Sequence, residues 1–191
     1  MRADAREKKA ALITAAWNLF ALDGPDVPLR TVAAEAGVGI GTLYRHFPTR
    51  DDLVIGLIED LADRLFDIIH RHVDSWDGSR EGWRAFVHEI AAIKIAALAE
   101  RTIAVTPFDG RVWTETEPLR EQFLAAYRTI LDLAAESGFV EPGLSQWRFH
   151  LGLAAVSRPM PEKAEHFAPG QAGWLIDTYI TGLAGSCAPR D

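Results

Sequence analysis

The side chains best suited to binding chemistry lie between residues 28 and 50, where hydroxyl, cationic and small residues recur at helical spacing. Hydroxyls and cations bind phosphate oxygens, small residues allow close approach, and a few longer side chains can reach base edges. This combination indicates contact with nucleic acid. The candidate residues are Arg30, Thr31, Gly39, Ile40, Gly41, Thr42, Tyr44, Arg45, His46 and Arg50.

Three helices are needed to position these side chains. The apolar spacing predicts a long first helix, then a short second helix over residues 29–36 that ends at Gly37. A third helix, over residues 39–46, is barely two turns long. Leu43 and Phe47 are four residues apart and face inward, which turns the candidate residues outward. A helix this short can enter the DNA major groove while the preceding helix crosses the backbone.

The rest of the chain reads as further helices. Pro48 ends the third helix, and Thr49 with Asp52 forms a capping pair for a long fourth helix. Apolar patterns of helical period continue toward the end of the chain, and strand signals are nearly absent. We therefore expect an all-α fold. It would comprise an N-terminal three-helix helix-turn-helix domain over residues 1–48 and a C-terminal helical bundle for ligand binding and dimerisation over residues 49–191.

The N-terminal quarter of the chain resembles the tetracycline-repressor (TetR-like) family of bacterial transcription regulators. The resemblance rests on three runs: Leu12-Ile13-x-Ala15-Ala16-x-x-Leu19-Phe20 with Gly24, Val32-Ala33-x-x-Ala36-Gly37-Val38, and Gly41-Thr42-Leu43-Tyr44-x-His46-Phe47-x-x-Arg50-x-x-Leu53. It implies that Arg45 and position 40 approach bases and that Arg30 reaches a base or a phosphate. It also implies phosphate-backbone contacts by Thr42, Tyr44, His46 and Arg50.

Two departures from the family pattern bear on how DNA would be read. Ile40 replaces a residue that is often polar or basic, so it offers only an apolar contact, for example to a thymine methyl group. Pro28 and Gly39 stand where the family usually places Ser or Thr caps, so those hydroxyl contacts to phosphate are missing. We therefore expect few direct base contacts and a larger role for DNA shape.

Charge and composition bound the remaining possibilities. The net charge is -7, but residues 1–50 carry seven Lys or Arg against five acids, whereas residues 51–191 carry thirteen against twenty-two. This asymmetry fits a DNA-facing region on an acidic body. The single cysteine, Cys187, excludes an internal disulfide and a cysteine-based metal site. No apolar run approaches the roughly 18 residues of a membrane span, so we expect a cytoplasmic protein with no membrane partner.

Aromatic and branched side chains in the middle of the C-terminal part suggest a ligand cavity. They come from three predicted helices and a turn, and a space between bundled helices is a common place for a small apolar ligand. Taken singly, each is an ordinary core residue. In the resembled family this region binds an inducer. The candidates are Trp83, Phe86, Ile90, Phe108, Trp113, Phe123 and Tyr127.

The last two predicted helices suggest a self-association surface. Their apolar residues repeat at helical spacing, and two such helices from each of two subunits would form a four-helix interface. The alternative is that these side chains serve only the internal core of one subunit. The candidates are Leu144, Trp147, Leu151, Ala154, Leu175, Tyr179 and Leu183.

These observations predict a homodimeric, non-enzymatic regulator, in particular a repressor released from a palindromic operator by an unknown small-molecule effector. No phosphate-binding glycine loop, His-Glu-x-x-His or Gly-x-Ser-x-Gly motif is present, so we expect no catalytic site and no cofactor. His70 and His72 are two residues apart and point in different directions on a helix, so we expect no metal site there. The alternative hypothesis is an all-helical small-molecule-binding or catalytic bundle with a structural N-terminal motif.

Overall fold

The computed structural model describes residues 2–24, 26–93, 110–158 and 160–185, and within these ranges the only regular elements are helices. The predicted all-α fold is confirmed. In chain order, α1 to α10 are Arg2–Asp23, Leu29–Glu35, Ile40–His46, Arg50–Asp74, Arg80–Ala92, Arg111–Glu115, Glu117–Glu136, Gln146–Val156, Glu162–Phe167 and Gln171–Gly185. None of these helices is long and apolar enough to cross a membrane.

The described residues form two compact units. The first, which we call the head, comprises residues up to Asp63 together with 110–119. The second, which we call the body, runs from Arg64 to 93 and again from Arg120 to 185. The head thus combines the N-terminal helices with a segment that returns from much later in the chain.

The head is held together by one apolar core. Leu12 and Phe20 of α1, Val32 of α2, Leu43 of α3 and Leu53 of α4 have no exposed surface. Burying each large side chain of this kind contributes about 1.5–3 kcal/mol, so the short helices α2 and α3 gain from packing a stability that neither would have alone.

A close contact locks the start of α4 onto this core. A Cβ atom added at Gly56 would lie 2.7 Å from Cε1 of Phe47, the residue that follows α3. Only glycine leaves room for the ring there. At the outer edge of the head, the indole nitrogen of Trp17 in α1 donates to Oδ2 of Asp60 in α4 at 3.0 Å.

The body is built around aromatic side chains. The rings of Trp83, Phe86, Tyr127 and Phe149 are all fully buried, and their centroids lie 5.6–6.4 Å apart in the contacts that join them. Such spacings are typical of offset and edge-to-face aromatic packing. The cluster joins α5, α7 and α8, so these helices share one core.

Helix α10 is fixed to this core by polar contacts on two sides. The Tyr179 hydroxyl donates to the Phe149 carbonyl of α8 at 2.7 Å, and Asp177 accepts two hydrogen bonds from Arg84 of α5 at 2.7 and 2.8 Å. His88 Nε2 lies 2.7 Å from the same carboxylate. Hydrogen bonds from Arg84 and His88 lower the pKa of Asp177 to about 2.

The sequence pattern missed two local features. The apolar pattern predicts a helix over 115–137, which corresponds to α7, but not the short α6 before it, which ends at Thr116, whose buried hydroxyl donates to the Val112 carbonyl. The sequence after Arg158 is too proline-rich for a continuous helix, and the segment holds the six-residue α9. Prolines at positions 159, 161 and 169 flank this helix without interrupting it.

Candidate nucleic-acid interface

The turn between α2 and α3 depends on one residue with positive φ. Gly37 has φ 67°, and its amide donates to the Ala34 carbonyl at 3.0 Å, while the Val38 amide donates to the Ala33 carbonyl at 3.0 Å. This is the glycine-ended helix terminus expected from the sequence. It redirects the chain so that α3 starts three residues later, at Ile40.

Helix α3 is divided into a buried side and an exposed side. Leu43 is fully buried and Phe47 is 3% exposed, so the inward face predicted from their spacing is present. On the opposite side Tyr44 is 49% exposed and Ile40 is 42% exposed, and the Arg45 side chain is also exposed. The large side chains on this outer face are therefore not part of the head core.

The remaining candidate residues lie in α3 or close to it in sequence, and they are at least partly accessible to solvent. Thr42 and His46 are half-buried, and Gly39 and Gly41 are exposed, with no atom within 4 Å of an added Cβ. Arg30 and Thr31 are exposed at the start of α2. Pro28 and Gly39 are the N-cap residues of α2 and α3, and neither makes a side-chain capping hydrogen bond.

Arg50 has a role inside the protein that the sequence did not reveal. Its Nη2 atom donates to the Val27 carbonyl at 2.8 Å, in a partly buried position. This hydrogen bond ties the loop before α2 to the first residue of α4. The contact of Arg50 with a DNA backbone stays a prediction.

The predicted capping pair at the start of α4 is confirmed. The Asp52 carboxylate accepts from the Thr49 amide at 2.8 Å and from the Thr49 hydroxyl at 2.7 Å, and the Asp52 amide donates to that hydroxyl oxygen at 3.2 Å. A reciprocal pair of this kind satisfies backbone donors that no helical carbonyl can reach.

Arg111 of α6 joins this cap, and nothing in the local sequence pattern pointed to it. Its Nη2 atom donates to Oδ1 of Asp52 at 2.7 Å, and its Nε atom donates to Oε1 of Glu115 at 2.7 Å. Hydrogen bonds from Arg111 and then from Thr49 lower the pKa of Asp52 to about 2. The carboxylate is therefore ionised at any physiological pH.

The predicted ligand residues are mostly core in this structure. Trp83, Phe86, Ile90 and Tyr127 are buried, and the rings of Trp83, Phe86 and Tyr127 pack against that of Phe149. Phe123 is also buried and packs 4.6 Å from the Tyr127 ring. Trp113 belongs to the head, and Phe108 lies outside the described residues. Their binding of a ligand stays a prediction.

An open groove of about 370 Å³ lies instead on another face of the body. It runs between α4 and α7, and its walls are mainly apolar. Its lining consists of Phe66, Ile69, His70, Val73, Gln122, Ala125, Ala126 and Thr129. The spacing of three, four and seven residues on each helix is present in the sequence, but the buried aromatic residues of α7 lie on a different side of that helix.

The predicted dimer residues separate into exposed and buried groups. Trp147 and Leu151 of α8 are 40% and 60% exposed, and Trp174 of α10, a helix that contacts α8, is 60% exposed. Leu144 and Leu183 are buried in the body core, and the Tyr179 ring is held by its bond to Phe149. Ala154 and Leu175 are half-buried. Which of these residues contact a second subunit stays a prediction.

Together, three helices around one core with the third presented outward define a helix-turn-helix protein. Residues 12–57 match the family model described as bacterial regulatory proteins, tetR family. The head of this chain is thus similar to the helix-turn-helix region of tetracycline-repressor (TetR) family regulators, as the sequence resemblance indicated.

Individual relatives extend this comparison beyond the head. An HTH-type transcriptional repressor of Mycobacterium tuberculosis is 38% identical over 65 residues, which cover 34% of this chain and 35% of the relative. A crystal structure of a TetR transcriptional regulator from Streptomyces coelicolor is 26% identical, with a TM-score of 0.62 over 92% of this chain and 97% of that chain. The aligned stretch is thus about a third of the curated relative's length.

The fold is also shared with more distant structures. The TetR-like regulator LfrR from Mycobacterium smegmatis, in complex with proflavine, is 22% identical and has a TM-score of 0.64, covering 97% of this chain and 99% of that chain. At this identity the similarity concerns the fold alone.

Within the described part of this chain, no group of three or more His, Cys, Asp or Glu side chains is placed to hold a metal ion.

Proposed function

We propose that this chain is a homodimeric transcription regulator that reads operator DNA with the outer face of α3. The observation that carries the proposal is the division of that helix: Leu43 is fully buried, while Ile40 and Tyr44 are nearly half exposed. Exposed aromatic and apolar groups rimmed by polar ones mark interaction sites. A short helix that offers a ring, an arginine and an apolar side chain suits a major groove.

The charges around α3 support a polyanionic partner. Residues 28–50 contain Arg30, Arg45 and Arg50 against the single acid Glu35. Asp52, at the start of α4, is paired with Arg111. Positive charge is therefore concentrated in residues 28–50, although the protein as a whole is acidic. This is expected for a localised contact with phosphates.

Self-association is supported by the exposed apolar side chains of α8 and α10. Trp147, Leu151 and Trp174 are large apolar side chains that a monomer would leave in water. A second copy is the proposed occupant, because paired recognition helices must reach half-sites about 34–36 Å apart on DNA. Twofold symmetry of the protein would then be matched by a palindromic operator, and occupancy of that operator would repress transcription.

The groove between α4 and α7 is the proposed effector site. Its volume lies within the ordinary range for small-molecule pockets of about 300–1,000 Å³. Its walls carry no Asp, Glu, Lys or Arg, and the Phe66 and His70 rings stack with centroids 6.2 Å apart. These features favour a neutral, flat, mainly apolar molecule that hydrogen-bonds to His70, Gln122 or Thr129. Because α4 begins directly after α3, a change in α4 on binding would alter operator affinity.

The test of DNA reading uses duplexes that the wild-type protein selects from a random-sequence pool. We expect Arg45→Ala and Tyr44→Ala each to weaken binding to the selected duplex by about 5- to 150-fold, since a base or phosphate contact contributes roughly 1–3 kcal/mol. Glu35→Gln, which leaves this face unchanged, is the control. Failure of the wild-type protein to enrich any duplex, or wild-type affinity in both variants, would contradict the proposal.

The effector site is tested separately with a groove-filling variant. Ala126→Trp places an indole between the two walls, so it should abolish stabilisation by a neutral bicyclic aromatic probe such as 2-naphthol. The wild-type melting temperature should rise with probe concentration, as expected for a ligand that binds only the folded state. An equal rise in both proteins, or none in the wild type over a panel of such compounds, argues against this groove.

A further inference from the structure

The head is completed by a residue that lies far outside the stretch matched by the family model. Arg111 is 59 residues from Asp52 in sequence, yet its Nη2 atom donates to Oδ1 of Asp52 at 2.7 Å. The other oxygen, Oδ2, accepts both hydrogen bonds from Thr49. One carboxylate therefore connects α6 to the cap of α4, with each of its two oxygens used for a different partner.

This connection lies next to the recognition helix. Thr49 is separated from the end of α3 at His46 only by Phe47 and Pro48. The direction in which the chain leaves α3 is thus set by the geometry of the Thr49 cap. The backbone next to Arg111 is anchored, because the adjacent Val112 is 5% exposed and belongs to the head core.

Arg111 also contacts a second carboxylate. Its Nε and Nη2 atoms lie 2.7 and 3.4 Å from the two oxygens of Glu115, one helical turn later. The planar guanidinium can satisfy both acids at once, which the single ammonium of a lysine cannot do with the same geometry. An exposed ion pair of this kind adds little stability, so its value is in placing groups.

We propose that Arg111 is a positioning residue for DNA recognition, which orients α3 through Asp52 and Thr49 without contacting DNA itself. This inference rests on the proposed function. It extends the DNA-reading unit beyond the N-terminal helices to a residue that returns from beyond α5. It also gives the Arg111–Asp52 pair a role in sequence specificity. A tilted recognition helix loses base contacts before it loses general attraction to phosphates.

The test compares a charge-neutral pair of substitutions with a matched control in the full-length chain. Arg111→Gln combined with Glu115→Gln removes the bridge and keeps the net charge of the wild type. Glu115→Gln alone leaves the Arg111–Asp52 bond in place. Affinities are measured for a duplex selected by the wild-type protein from a random pool and for a scrambled duplex, over a range of salt concentrations, after circular dichroism has shown that each variant is folded.

We expect the double variant to lose about tenfold in affinity for the selected duplex, a size in keeping with couplings between groups of one network. Its affinity for the scrambled duplex should stay within about twofold, and the salt slope should be unchanged, because no phosphate contact is removed. Glu115→Gln should retain the wild-type ratio of the two affinities. The affinity of Arg111→Lys for the selected duplex should fall between those of the wild type and the double variant.

Two results would overturn the inference. One is an unchanged ratio of selected to scrambled affinity in the double variant. The other is an equal loss on both duplexes with a salt slope lower by about one, which would make Arg111 a direct phosphate contact. If the wild-type protein selects no duplex at all, the proposed function itself fails, which is a distinct outcome. The carboxyl pKa of Asp52, followed by NMR, should rise from about 2 when the bridge is removed.

Discussion

The head and the body of this protein carry their functional surfaces in different ways. In the head, one short helix has its inner side fixed by Leu43 and Phe47, so its outer residues are determined by spacing alone. In the body, α8 and α10 have apolar residues over a wide arc, and neighbouring helices decide which of them stay exposed. Residue types therefore identify the surface of the head, whereas packing partners identify the surfaces of the body.

The largest expected effect sharpens this comparison within two adjacent residues of α3. Leu43→Ala should lower the free energy of unfolding by about 2–5 kcal/mol, because it removes a fully buried side chain from a small core. Tyr44→Ala, one residue later and half exposed, should change it by less than about 0.5 kcal/mol. Urea unfolding of both variants measures the difference. Similar losses in the two would mean that α3 has no free outer face.

The body offers a corresponding test of close helix packing. A Cβ atom at Gly152 of α8 would lie 2.7 Å from the Tyr179 hydroxyl, which is held by the Phe149 carbonyl. Gly152→Ala should therefore destabilise the protein by about 1–3 kcal/mol. The control is Gly173→Ala in α10, where nothing lies within 4 Å, and which should be neutral or stabilising by about 0.5–1 kcal/mol. Thermal melts that rank the two variants in the opposite order would refute this packing.

The smallest expected effect concerns acid sensitivity of the body. Burial lowers the pKa of His150 to about 4, and its Nδ1 atom lies 3.4 Å from the Tyr127 hydroxyl among aromatic rings. The unfolded chain binds a proton at this histidine near pH 6.5, and the folded chain does not. Stability should therefore be unaffected above pH 7 and fall as pH decreases from about 6.5 to about 4.

The His150→Gln variant isolates this contribution, because it removes the titrating group and leaves every other histidine in place. Its melting temperature should decline less steeply between pH 7 and pH 5 than that of the wild type. Parallel declines in the two proteins would show that the buried imidazole does not govern the acid response.

The contrast between the two units also explains what the sequence could and could not predict. The Gly37 turn, the inward pair Leu43 and Phe47, and the Thr49–Asp52 cap each follow from interactions within a few residues, so local patterns were sufficient. Arg111 was missed because its partner is 59 residues away in sequence. No local periodicity carries that information.

In the body, the sequence identified apolar residues but not the side on which each would be covered. Leu144 and Leu183 fit the spacing of an interface as well as Leu151 does, yet both are buried, the first just before α8 and the second in α10. The same ambiguity made buried aromatics such as Trp83 resemble the lining of a cavity. Only the arrangement of neighbouring helices separates these cases.

Hydroxyl-radical footprinting of the full-length protein on a selected duplex tests the central claim most directly. A dimer that inserts α3 twice should protect two patches on one face of the duplex, one helical turn or about 10–10.5 base pairs apart. Both patches should be lost with Arg45→Ala, and also with Leu151→Glu, which places a charge on the proposed dimer surface. A single patch, protection without this spacing, or a footprint unchanged by Arg45→Ala would contradict the account.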